Sequence, residues 1–221
     1  MGFALRLGIV GAAQLFLAAR GGAAAALWLW SGLSFLTVAW AYARRRPDVF
    51  AKQADGRLPI IRTCLLLPFH AAIQGVWRLH GWLGWDRVAD EVSPGIWLGR
   101  WPRPQDVPHD VLLIVDLTAE LPARRTVLHG REYWLVPTLD GAAPDLTLLR
   151  NAVARAVDRP GPMYVHCAQG RGRSTLFVLL LLRARGIVPD LEEAERVVRA
   201  VRPSISLTRA QRRLLADARD D

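Results

Sequence analysis

Cysteine is scarce in this chain, two in 221 residues, which excludes a disulfide framework and a cysteine-built zinc cluster. Histidine is scattered: His70, His80, His109 and His129 show no ligand spacing, so no metal is expected. Internal repeats, low-complexity tracts and long disordered tails are missing, and no nucleic-acid-binding module is visible. Cys64 lies in an apolar stretch without nearby glycine turns. It reads as a buried or lipid-facing thiol rather than a disulfide partner of Cys167, and both thiols suit a reducing compartment.

Charge is also absent where it is most telling. Ala23 to Ala43 is 21 residues without a charged side chain, about the length that crosses a hydrocarbon core of ~30 Å as a helix. Phe3 to Ala19 is a second, shorter candidate whose Arg6 can snorkel to the surface, and Arg20, Gly21 and Gly22 make a turn between them. The sequence therefore predicts a transmembrane helical hairpin over residues 1–46. Arg44, Arg45 and Arg46 mark its C-terminal end as cytoplasmic, which puts the rest of the chain inside. A cleaved signal peptide is the competing reading, and the uninterrupted second stretch argues against it. Gly2 is followed by Arg6 rather than Ser or Thr at that position, so a myristoylation signal is not met.

Leu58 to Trp85 is apolar but broken by Pro59, Arg62, Pro68, His70, Gln74 and Arg78, so residues 47–87 are expected as an interfacial or linker helical region. Trp77, Trp82 and Trp85 with Arg78 and Arg87 suit a helix on a lipid surface, with packing against the C-terminal domain as the alternative. The basic excess follows the same division. Residues 1–87 hold ten basic and three acidic side chains, net +7, and residues 88–221 hold 19 and 17, net +2. Anionic headgroups are thus a simpler partner than nucleic acid.

What is present is the run HCAQGRGRS, His166 to Ser174. Pro162 to Val165 reads as a buried strand and Ser174 to Arg185 as a helix, so the run joins a strand end to a helix N-terminus. Gly170 and Gly172 let the backbone turn its N–H groups inward as a nest, and the helix end adds positive potential, so a phosphate dianion can be held by main chain. The same field favours a thiolate at Cys167. Arg173 supplies a planar fork for two phosphate oxygens, and Ser174 can donate to the sulfur as it departs. His166, Ala168, Gln169, Gly170, Arg171 and Gly172 line the expected phosphate site, with His166 ordering the loop rather than moving protons. A cysteine beside a histidine at a strand end is ordinarily core, but here the glycines, the strand, the helix and the serine coincide.

The leaving alkoxide needs a proton donor from another loop. Tyr133 to Val136 reads as a strand running into Pro137, after which Asp140 sits beside Gly141 in a mobile turn. Asp140 is the expected general acid. Asp145 competes, but after Pro144 it suits the N-cap of a helix from Leu146 to Asp158. Asp116 and Glu120 look like hydrogen-bonding residues at a strand end and receive no chemical role.

With these residues in place, the chain resembles the dual-specificity subgroup of the cysteine-dependent protein tyrosine phosphatases, whose signature is HCxxGxxRS or HCxxGxxRT. VSPGIWLGRWP (92–102) is similar to that family's opening strand, VLLIVDLTAE (111–120) to its next core strand, VPTLDGAAPDL to its general-acid loop, and LEEAERVVRAVRPSISLTRAQRRLL to its closing helices. The resemblance covers residues 88–221. It implies an α/β domain with a mainly parallel central sheet flanked by helices, Cys167 as nucleophile, Arg173 as phosphate clamp, Ser174 as hydroxyl and Asp140 as acid. The reaction it implies is hydrolysis of a phosphomonoester through phosphocysteine, with neither metal nor cofactor. Phosphotyrosine in proteins, with phosphoserine and phosphothreonine beside it, is the first substrate class implied. A phospholipid such as phosphatidylglycerophosphate is the alternative, because Arg171 is basic as in relatives that act on lipids; an inactive phosphate-binding module is the third.

Overall fold

The computed structural model describes residues 2–82 and 87–218, without the side chains of 77–82. Trp77, Arg78, Trp82 and Trp85 therefore lie outside the described side chains. The chain forms two compact units, 1–53 with 58–85, and 54–57 with 86–221. The 47–87 stretch is thus divided: most of it clusters with the N-terminal hairpin, while 54–57 joins the second unit, where Ala123 N donates to Gly56 O at 2.8 Å.

In the first unit α1 (Gly2–Ala19) and α2 (Ala25–Arg44) run antiparallel, joined by a turn in which Gly21 and Gly22 take φ of 77° and 93°. Both helices are long and apolar enough to cross a membrane. They cross at Gly11 and Gly32, where a Cβ on either glycine would come within 3.0 Å of the other's carbonyl oxygen. Small residues at such a crossing let the backbones approach and give packing that lipid does not supply. Phe3 closes the pair against Tyr42, ring centroids 4.8 Å apart. A 3-10 turn, Pro47–Phe50, is followed by α3 (Ile60–Leu65) and α4 (Leu67–Trp82).

The second unit is built on a five-stranded sheet: β1 (Ala89–Ser93), β2 (Ile96–Gly99), β3 (Leu113–Asp116), β4 (Glu132–Leu135) and β5 (Met163–His166), in spatial order β1-β2-β5-β3-β4. β1 pairs antiparallel with β2, and the other pairs are parallel. The run 92–102, expected as one opening strand, is a corner between two. Pro94 and Gly95 (φ 74°) turn the chain there, and β1 becomes an antiparallel edge.

Alternation along the strands separates two apolar layers. Leu113, Val115, Met163 and Val165 face one side, Ile114 and Tyr164 the other. The first side carries α6 (Leu146–Val157), α7 (Arg173–Ala184), α8 (Leu191–Val201) and α9 (Arg209–Asp217). Against Ile114 and Tyr164 pack Val107, Val111 and Val127, the last from the single-turn helix α5 (Arg125–Leu128). Helix α7 is apolar around its whole circumference and buried from Arg173 to Leu182, as expected of a central helix. Its N-terminus therefore lies at the carboxyl edge of the sheet, where open α/β sheets place their sites. Asp145 caps α6 by accepting from Leu148 N at 2.9 Å, and Asp190 caps α8 through Glu192 N and Glu193 N.

Candidate active site

The segment from β5 to α7 carries the signature residues, and its shape follows from where its carbonyls are tied. Ala168 O accepts from Trp101 N at 3.2 Å, Gln169 O from Arg202 Nη2 at 3.2 Å, Gly170 O from Arg202 Nε at 2.9 Å, and Arg171 O from Ser206 N at 2.9 Å. In a trans peptide the C=O and the following N–H point in opposite directions. Four carbonyls held outward thus aim the amides of Gln169, Gly170, Arg171 and Gly172 inward, as an anion nest. Gly170 N already donates to Cys167 Sγ at 3.2 Å. Only glycine fits at 170: its φ is +69°, and a Cβ would lie 2.5 Å from the Gly99 carbonyl carbon and oxygen.

Cys167 is buried, and Ser174 Oγ donates to its sulfur at 3.3 Å. Burial pushes the thiol pKa up, but the Arg173 charge and the hydrogen bonds from Ser174 outweigh it, so the thiol sits below its ordinary value. His166 is 2% exposed and points away from the nest, with Nε2 3.7 Å from Asp116 Oδ2 and Nδ1 3.3 Å from Cys167 O. Asp116 also accepts from Thr118 N and Oγ1 at 2.7 Å and from Tyr133 Oη at 2.9 Å. Burial and the Asp116 charge hold the Tyr133 phenol far above its usual pKa, so it remains a donor.

Arg173 is 1% exposed. Glu120 grips both its Nη atoms, at 3.0 and 2.9 Å, and Thr138 O accepts from Nη1 at 2.7 Å. Burial opposes the guanidinium charge, yet Glu120, Asp140 and Cys167 raise its pKa well above the usual value. Arg173 Nε is buried and, among the described residues, has no partner. A donor in that position costs free energy unless something fills it, and a phosphate oxygen would.

Asp140, with its side chain 43% exposed, lies 2.9 Å from Arg173 Nη2. Two side chains hold its turn: Thr208 Oγ1 donates to Gly141 O at 3.0 Å and Gln211 Nε2 to Ala142 O at 2.9 Å. Thr208 and Gln211 also form the capping box of α9, so one pair of side chains starts a helix and holds the Asp140 turn. Asp145 is occupied as an N-cap.

The structure thus brings Cys167, Arg173, Ser174 and Asp140 together, and places His166 behind the loop. Sequence reasoning missed Glu120, Arg202 and Gln211. Glu120 carried a signal, an acid just beyond an apolar strand, which ordinarily requires a partner when buried. Arg202 is 1% exposed and paired with Asp90 at 2.7 Å, but its partner lies 112 positions away.

A solved structure titled Tk-PTP in the active form superposes with a TM-score of 0.53 at 26% identity, covering 60% of this chain and 97% of that one. The domain has the fold of the dual-specificity cysteine phosphatases. PTPMT1 in complex with PI(5)P shares that fold at 22% identity, TM-score 0.51, over 60% of this chain and 95% of that one. Among curated proteins, the phosphatidylglycerophosphate phosphatase PTPMT1 of Arabidopsis thaliana is 30% identical over 145 residues, 58% of this chain and 40% of its own length. The chain spans less than half the length of the curated relatives it matches. No protein-family model matches the sequence.

Proposed function

We propose that the protein is a membrane-anchored phosphomonoesterase that works through a phosphocysteine intermediate and takes a lipid-borne phosphate. The observation that carries the reaction is the sulfur of Cys167, held between Gly170 N and Ser174 Oγ beside an Arg173 whose Nε awaits an acceptor. Phosphate enters the nest of four amides and completes the Arg173 fork, competing with Asp140 for Nη2. The thiolate attacks phosphorus in line with the leaving oxygen, and protonated Asp140 gives that oxygen its proton. Asp140, now a carboxylate, takes a proton from water as the water attacks phosphorus. Ser174 Oγ donates to Cys167 Sγ as the P–S bond breaks.

Three observations support the lipid substrate: the curated relatives are phosphatidylglycerophosphate phosphatases, Arg171 is basic, and the chain begins with two apolar helices. The three arginines at the C-terminal end of α2, Arg44 to Arg46, favour a cytoplasmic catalytic domain. Phosphotyrosine in proteins is the second reading, favoured by the dual-specificity fold. Purified full-length protein offered phosphatidylglycerophosphate in vesicles and a phosphotyrosine peptide side by side separates the two. The lipid is expected to be hydrolysed with the higher kcat/KM. A reversed order transfers the substrate to proteins, and hydrolysis retained by Cys167→Ser above about 1% of wild type removes the nucleophile.

A further inference from the structure

Residues 54–57 belong to the second unit, although the chain on either side of them belongs to the first. Gly56 is buried there at φ +80°, and a Cβ on it would collide with Ala123 Cβ and fall 2.9 Å from Tyr133 Oη. Only glycine takes that conformation without cost, and only glycine leaves that space. Asp55 closes a turn around it, accepting from Arg57 N at 3.0 Å and pairing with Arg57 Nε at 2.9 Å.

From this turn two lines of contact reach the loop from Cys167 to Gly172. The first passes through a single peptide group. The N–H of Ala123 donates to Gly56 O at 2.8 Å, and the C=O of the same peptide, that of Pro122, accepts from Trp101 Nε1 at 3.0 Å. In a trans peptide these two groups point in opposite directions, so the peptide is gripped from both sides and each bond polarises the other. Trp101 N then donates to Ala168 O, which turns the Gln169 amide inward, while the Arg124 guanidinium covers the indole ring at 4.0 Å. The second line runs from the Gly56 backbone to the Tyr133 phenol it lies against, and from Tyr133 Oη to Asp116 Oδ2 at 2.9 Å. It continues across 3.7 Å to His166 Nε2, and His166 Nδ1 lies 3.3 Å from Cys167 O. The two lines thus end on the carbonyls of consecutive residues, Cys167 and Ala168.

We propose that residues 54–57 are a positioning strap for this loop, with Gly56 as the residue that seats it. Docked, the strap fixes Trp101 and Tyr133, and through them the Cys167 and Ala168 carbonyls and the inward amide of Gln169. Gly56 touches neither substrate nor the reacting atoms. Its loss therefore weakens phosphate binding and slows the reaction of every ester by the same factor. The inference rests on the phosphocysteine reaction proposed above for its activity readout, and on phosphate binding alone for the other.

Gly56→Ala and Gly56→Val in the full-length protein release the strap, the alanine serving where the larger side chain unfolds the domain. Faster trypsin cleavage after Arg57 than in wild type reports the release. Expected with it are a fall in kcat/KM of about tenfold, equal for an alkyl and a nitrophenyl phosphate, and a similar weakening of inorganic phosphate binding to the Cys167→Ser protein in titration calorimetry. Trp101→Phe with Tyr133→Phe cuts both lines, so Gly56→Ala added to that pair is expected to cost little more. Release of the strap with kcat/KM and phosphate affinity both unchanged overturns the proposal. So does a loss confined to the alkyl ester, or an undiminished tenfold loss in the Trp101→Phe, Tyr133→Phe protein. Phosphate binding that weakens on Gly56→Ala in a protein that hydrolyses neither ester supports the strap and removes the phosphocysteine reaction instead.

Discussion

The loop from Cys167 to Gly172 and the turn that carries Asp140 meet at the Arg173 guanidinium but are held in different ways. The loop has four consecutive carbonyls tied from outside, two of them by the fully buried Arg202. The turn is held at Gly141 and Ala142 by Thr208, the N-cap of α9, and Gln211 in its first turn, and its Asp140 remains 43% exposed. A binding site for a fixed charge gains from preorganisation, because dipoles aimed in advance need not reorganise during reaction. A proton donor must meet leaving groups of different shape, and a tether at the protein surface allows that. The contrast also separates the effects of substitution: damage to the turn should depend on the leaving group, and damage to the loop should not.

The largest effect on this contrast is expected at Asp140. Asp140→Asn removes the proton donor but keeps the size of the side chain, and general acid catalysis is worth roughly 10²–10⁴-fold. With an alkyl phosphate, kcat should fall by about that factor. With a nitrophenyl phosphate, whose leaving group needs little protonation, the loss should be far smaller. Single-turnover rates with both esters measure it, and equal losses would move the acid role off Asp140.

Next comes Arg202→Met, which keeps an unbranched side chain and much of the volume while releasing Gln169 O, Gly170 O and Asp90. Two amides of the nest then lose their orientation, and a misplacement on the scale of 1 Å costs about 10²-fold. The loss in kcat/KM should be the same for alkyl and aryl esters, accompanied by weaker inhibition by vanadate. Asp90, left with the exposed Arg87 at 3.1 Å in place of its buried partner, also destabilises the fold, by about 3 kcal/mol in urea unfolding. Arg202→Lys tests position against charge: a lysine can hold Asp90 but not both carbonyls. Restored stability without restored activity is the expected result, and restored activity would deny the carbonyls their role.

The signature loop, the strand before it, the helix after it and the N-cap of α6 could be read from local pattern, because each rests on neighbours within a few positions. Cys167 with Ser174 and Gly170 is of this kind, and so is Asp145. The pairing of Arg173 with Glu120 spans 53 positions and that of Arg202 with Asp90 spans 112, so no window of sequence contains both partners. The β1–β2 corner was missed for a different reason. The apolar run through Val92, Ile96, Trp97 and Leu98 masked the Pro94–Gly95 turn, and only the antiparallel register separates the two strands.

A smaller effect is expected at Gln211, which joins the two regions. Gln211 Nε2 holds Ala142 O, Gln211 Oε1 accepts from Thr208 N at 2.9 Å, and a Cβ built on Gly172 would fall 2.8 Å from that same oxygen. Gln211→Ala frees the acid turn on one side, leaving Thr208 and Gly141 on the other. A loss of about tenfold is expected with alkyl esters and little with aryl esters, in proportion to the orientation lost. Gln211→Glu restores the cap at Thr208 N but not the donor to Ala142 O. Its activity should therefore stay with the alanine variant, while thermal stability returns toward wild type.

The smallest change is a shift in pH dependence. Ser174 stabilises the thiolate by donating to Cys167 Sγ, one of the interactions that hold the thiol below its ordinary value against the cost of burial. Removing a stabiliser of the charged form raises the pKa, so Ser174→Ala should move the midpoint of Cys167 alkylation by iodoacetamide upward. The shift should fall short of an ordinary thiol's midpoint, because the Arg173 charge remains to favour the thiolate. Activity of the variant would then fall most at low pH, where the thiol begins to protonate, and recover toward the midpoint of an ordinary thiol. An unchanged midpoint would leave Arg173 and the inward amides as the sole support of the thiolate, and would confine Ser174 to the step in which the P–S bond breaks.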